Sequence, residues 1–79
     1  MNHDAIAAAL AKATAGSRVT VWRMVGRLDA LVGQAVVRPE DRAEGYRLIS
    51  RIVETCDGAG PALADWTEYH RGRLDPAGL

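Results

Sequence analysis

The sequence predicts a small all-α protein. The expected architecture is a bundle of three to four helices built on an antiparallel hairpin of residues 18–37 and 40–56, with a short helix at 4–15 and a last helix at about 61–72. Three observations carry that reading. Gly45, Ile49, Ile52, Val53 and Cys56 recur at the spacing of one helix face. Val21, Val25, Leu28, Val32 and Ala35 repeat at four, three, four and three, a seam of nearly three heptads. The apolar residues are mainly aliphatic, alanine is abundant and phenylalanine is absent, a composition that favours helix. Residues 1–79 read as one domain.

Taken in order, the first helix has Asp4 to cap it and only Ile6 and Leu10 as an apolar stripe, so it is expected to fray or dock lightly. Gly16-Ser17 is expected to break the chain before the second helix. There Met24 and Leu31 widen the stripe on one flank and Trp22 on the other, while Thr20, Arg23, Arg27 and Gln34 take the opposite face. A strand over Arg18–Val25 is excluded because the alternation ends at Trp22, where the helical period continues.

Arg38 precedes a proline and avoids the helical region. Pro39 suits the first position of the third helix, and Glu40 and Asp41 match the positive end of its dipole. Gly45 is expected to bring this helix close to the second. Asp57-Gly58 ends the third helix and Gly58-Ala59-Gly60 forms a turn. Pro61 opens the last helix, with Leu63, Trp66, Tyr69 or His70, and Leu74 facing inward.

The chain has 79 residues, and a core of that size rarely supplies more than about 3–5 kcal/mol unaided. Cys56 is the only cysteine, so no disulfide within the chain is available and a partner is expected. Its place on the apolar face predicts a buried hydrophobe, and a single cysteine suits a reducing compartment. No stretch is apolar enough for a membrane, and Met1-Asn2-His3-Asp4 lacks the basic start of a signal peptide, which predicts a cytoplasmic protein. Net charge is zero, but the halves differ. Residues 1–38 carry five basic residues against two acidic, net +3, and residues 39–79 carry five against eight, net −3. Such halves neutralise each other within one bundle or mark a surface for a partner, another copy included.

Little in the chain points to chemistry. His3 stands third, where a free amino terminus can wrap copper or nickel. Neither His3 nor His70 has a second ligand at metal spacing, and His70 is expected at the surface or partly packed. Gly58 and Gly60 do not make a phosphate loop. No nucleophile has a base near it in sequence. The expectation is therefore no catalytic residue, no cofactor and no metal.

Two resemblances bear on function. Leu10-Ala11-Lys12, then Ser17 to Leu28 (Ser-Arg-Val-Thr-Val-Trp-Arg-Met-Val-Gly-Arg-Leu), resembles the helix-turn-helix of winged regulators, and Arg38-Pro39-Glu40-Asp41-Arg42 resembles their wing. That resemblance implies DNA contacts from Ser17, Arg18, Thr20, Arg23 and Arg27. It requires wing strands near 35–38 and 46–50, where the helical period of 45–56 requires a helix. Val21-Trp22-Arg23, Leu28-Asp29-Ala30-Leu31 and Ala43 to Leu48 (Ala-Glu-Gly-Tyr-Arg-Leu) are similar to the N-terminal helical segment of actinobacterial proteins that carry a β-rich domain of unknown function. That second resemblance spans residues 21–53 and implies a fold element without chemistry.

The stripe on residues 21–35 is wider than one partner helix covers. The sequence therefore predicts a small protein–protein interaction module or accessory subunit, self-associating or binding a larger protein, with Trp22, Met24, Leu31 and Trp66 at the interface. The alternative is a DNA-binding module using Arg18, Thr20, Arg23 and Arg27 on residues 18–28 as recognition helix.

Overall fold

The computed structural model describes residues 3–56 and 60–75. Four helices follow one another: α1 Asp4–Ala9, α2 Ala15–Val32, α3 Pro39–Thr55 and α4 Pro61–Leu74. There is no strand among the described residues: of the two segments a wing would need, 46–50 lies within α3 and 35–38 lies between α2 and α3. No helix among them is long and apolar enough to cross a membrane.

The helix limits follow local chemistry. Thr14 is extended (ψ 158°) and its side-chain oxygen accepts the Ser17 N–H at 3.2 Å, a full N-cap. This cap starts α2 three residues earlier than the expected Arg18. Gly16 and Ser17 therefore lie in its first turn and do not break the chain. At the other end Gly33 closes the helix, its N–H bonded to the Asp29 carbonyl at 3.0 Å. The seam consequently stops at Val32, and Ala35 lies beyond the helix, exposed. Arg38 is extended (ψ 157°) and Pro39 takes the first position of α3, with Glu40 and Asp41 in its first turn. Residues 57–59, expected to end α3 and turn the chain, lie outside the described residues. Gly60 has φ 78°, the left-handed region open to glycine, directly before Pro61.

α2 is 18 residues long and would span about 27 Å. The six residues 33–38 reach at most about 20 Å even when fully extended. They cannot carry the chain back along α2, so α2 and α3 pack as an antiparallel hairpin. Val21, Val25, Leu28, Leu31 and Val32 meet Ile49, Ile52 and Cys56 in one core. α4 lies across both helices and adds Leu63, Trp66 and Leu74. α1 is only six residues long, yet Ile6 and Leu10 are sealed in the core. It docks firmly on α4 and does not merely fray, because both of its large apolar side chains are buried. Outside the core, Arg27 donates from Nε and Nη2 to the two Glu44 oxygens, at 2.8 and 2.9 Å, and so joins the basic half to the acidic half.

Gly45 does not mark the approach of α2. A methyl group there would fall 2.5 and 2.6 Å from the two terminal carbons of Leu74, so the glycine admits α4 instead. Leu74 is fully buried and has little room to withdraw. Gly26, in the middle of α2, has nothing within 4 Å of an added methyl. Gly26→Ala is thus expected to gain about 1 kcal/mol from helix propensity alone. At Gly45 the same gain is outweighed by overpacking, about 1–3 kcal/mol, so Gly45→Ala should lower stability in urea unfolding. In a Leu74→Ala background Gly45→Ala should become stabilising. An equal effect in both backgrounds would mean that Leu74 is not the obstacle.

Candidate functional site

Three helices bring polar side chains together at one end of the core. His3 occupies the N-cap position of α1, Asp29 lies in the last turn of α2, and Trp66 and His70 stand four residues apart on α4. The spacing of Leu63, Trp66, His70 and Leu74 puts His70 on the inward stripe and leaves Tyr69 half-exposed outside. His70 is wholly buried, which corrects the expectation of a surface or partly packed histidine. The corrected ring belongs to a nest of aromatic groups. Its centroid is 4.1 Å from Trp66, 5.4 Å from Tyr69 and 5.7 Å from His3, against which it stacks.

Hydrogen bonds fix the tautomers. The Trp66 indole N–H donates to His3 Nδ1 at 3.0 Å, which leaves the His3 ring proton on Nε2. That proton points to Asp29 Oδ2, 2.9 Å away. In His70, Nδ1 donates to the Trp66 carbonyl at 2.8 Å, which leaves Nε2 with a free lone pair. His70 Nε2 faces Asp29 Oδ1 across 3.9 Å. Both atoms are buried without a hydrogen-bond partner, although the rest of the Asp29 side chain is partly exposed. Two acceptors thus confront each other inside the protein, a costly arrangement for each. The Asp29–His3 pair has the form of a carboxylate orienting an imidazole, but the nitrogen that would serve as base is taken by Trp66.

A groove of about 440 Å³ between α1 and α4 leads to this cluster, lined by Asp4, Ala5, Ala62, Asp65, Trp66, Tyr69 and His70. A second, shallower hollow lies on the outer side of α2, lined by Ala15, Arg18, Val19, Trp22 and Arg23. From this hollow Trp22 reaches the cluster, its ring edge-on to His3 at 6.2 Å.

The residues expected at an interface divide accordingly. Leu31 and Trp66 are buried within the chain's own core, and Met24 is half-buried against it. This corrects their assignment to an outer surface: α4 as well as α3 packs on the stripe of α2. Trp22, at 38% exposure, stays outside. Of the candidate DNA contacts, Arg18 and Arg23 are exposed, the Thr20 hydroxyl donates back to the Gly16 carbonyl, and Arg27 is held by Glu44. Cys56 is buried in the core, and desolvation pushes its thiol pKa up, away from the thiolate that a reactive cysteine needs. The His3–Asp29–His70 cluster was not foreseen, because its members are 26 and 41 residues apart in sequence. The one available signal was a charged Asp29 beside the seam in the last turn of a helix, where the dipole disfavours an anion. Comparison of the chain with known protein families, curated proteins and solved structures finds no match.

Burial pushes the His70 pKa below the ordinary value of 6.5, against the pull of the Trp66 carbonyl; His3 adds to the lowering and Asp29 opposes it. The unfolded chain therefore takes up the proton first as pH falls. More protons bound in the unfolded state means that stability rises with pH across this window and is lost as pH drops through about 6.5. Urea midpoints are expected to fall between about pH 7.5 and about pH 5.5. His70→Asn, whose amide can still donate to the Trp66 carbonyl, should flatten that slope. An unchanged slope would assign the effect to another group.

Proposed function

We propose that the chain is a small helical interaction module that pairs with a second copy of itself. The observation that carries this reading is the exposed strip on α2, where Val19 (51%) and Trp22 (38%) stand outside the core, flanked by Arg18 and Arg23. A large indole left beside a valine one turn away is a usual mark of an association surface. The strip is basic, so its complement is an acidic apolar surface. The same chain offers one on α4, where Tyr69 is half-exposed beside the exposed Asp65 and Glu68. Both strips border the aromatic nest, Trp22 through His3 and Tyr69 through His70. A two-fold axis near His3 would lay each α2 strip against the partner's α4 strip and close the pair. This is the +3 and −3 asymmetry of the two halves put to use between copies. Such a module fits a cytoplasmic accessory subunit.

Size-exclusion chromatography with light scattering tests it. The expected result is a dimer that weakens as salt rises, because its charge pairs are screened. Trp22→Ala should give a folded monomer. Arg23→Glu and Glu68→Arg should each weaken the dimer and together restore it. A folded wild-type monomer at high concentration would overturn the reading. Binding of that monomer to duplex DNA, lost steeply in salt, would return the chain to the DNA-binding alternative through Arg18 and Arg23.

A further inference from the structure

We propose that His3, Asp29 and His70 form a binding site for a divalent transition-metal ion of the zinc class. Their ligand atoms all lie within 4.8 Å of one another. Two imidazoles and one carboxylate form a donor set that suits zinc and leaves a fourth position open; magnesium and calcium prefer oxygen alone.

Three further observations converge on the same point. First, His70 is arranged as metal-ligating histidines are: one nitrogen donates to a backbone carbonyl, and the other presents its lone pair. Second, that nitrogen and Asp29 Oδ1 are both buried, both without a partner, and 3.9 Å apart. Zinc with bonds of about 2.0–2.1 Å in tetrahedral geometry holds neighbouring ligand atoms about 3.3–3.4 Å apart. A closure of about half an ångström would place one cation against both. Third, Asp29 stands at the negative end of the α2 dipole, where a cation is favoured. The groove that reaches His70 has Asp65 and Asp4 in its walls, which gives a cation an acidic route inward.

His3 completes the site at a definite cost. Its Nε2 carries the proton that points to Asp29, so coordination there moves the ring proton to Nδ1. The Trp66 N–H then has no acceptor and must turn away. Metal binding is therefore expected to disturb the Trp66 indole and change tryptophan emission. The site lies within one chain and stands whether or not two copies pair.

The test is titration of zinc chloride into the full chain with an acetylated amino terminus, which blocks chelation by the terminus and His3 alone. Calorimetry should show one ion per chain, with a change in tryptophan fluorescence and a rise in thermal midpoint; magnesium chloride should give none of these. Asp29→Asn keeps the shape of the side chain and, as loss of a direct ligand, should weaken zinc binding by at least the about 10–100-fold that loss of a supporting partner costs, while the circular dichroism stays helical. His3→Gln, near the chain end, should do the same. Wild-type chain that ignores zinc, or an Asp29→Asn variant that binds it equally well, would overturn the proposal and leave the gap between Asp29 and His70 to a bridging water.

Discussion

The seating of α4 on the α2–α3 hairpin is the contact on which the other features depend. It is set by Gly45, whose missing side chain leaves room for Leu74. Leu74 and His70 are one helical turn apart on the same stripe of α4, with Trp66 one turn further back. The depth at which Leu74 enters therefore sets how closely His70 approaches Asp29. Trp66 in turn holds His3, and through it the start of α1. A chain with no disulfide and a core this small has its last helix positioned by one glycine and, a turn away, by a histidine–carboxylate cluster.

That cluster is not a device for stability. Asp29 sits at the wrong end of its helix for the dipole, and one of its oxygens is sealed without a donor. His70 takes a core position that Leu or Phe would fill at no polar cost. Sequences that are locally consistent elsewhere tend to break these rules where a site has to be built. Along α3 the proline start and the apolar stripe agree, although the Arg42 Nε is buried without a partner; at residues 29 and 70 two unpartnered atoms face each other.

The division between what could be read from the sequence and what could not follows from range. The third helix was legible because its proline, acidic first turn and apolar period all lie within one stretch and agree. The second helix was legible in kind but displaced in its limits. The Thr14–Ser17 cap is a two-residue signal that outweighed the more conspicuous glycine beside it. α1 looked weak because its stripe is thin, and local pattern does not show that both members of that stripe are buried by α4. Gly45 was legible as a point of close approach, but its partner was not, since Leu74 lies 29 residues away. The cluster was the least legible, since His3, Asp29 and His70 become neighbours only after α1, α2 and α4 have packed.

The basic strip borders the buried cluster through Trp22 and His3, and the acidic strip borders it through Tyr69 and His70. The His3 ring stands edge-on to Trp22 and is bonded through its two nitrogens to Trp66 and Asp29, so a change in its tautomer alters both hydrogen bonds. An interface that includes Trp22 would rest on a ring whose orientation depends on whether Asp29 receives a proton from His3 or shares a cation with it. The surface and the core thus meet at one side chain. Occupancy at Asp29 and association through α2 would influence each other even though no ligand atom lies on the exposed strip.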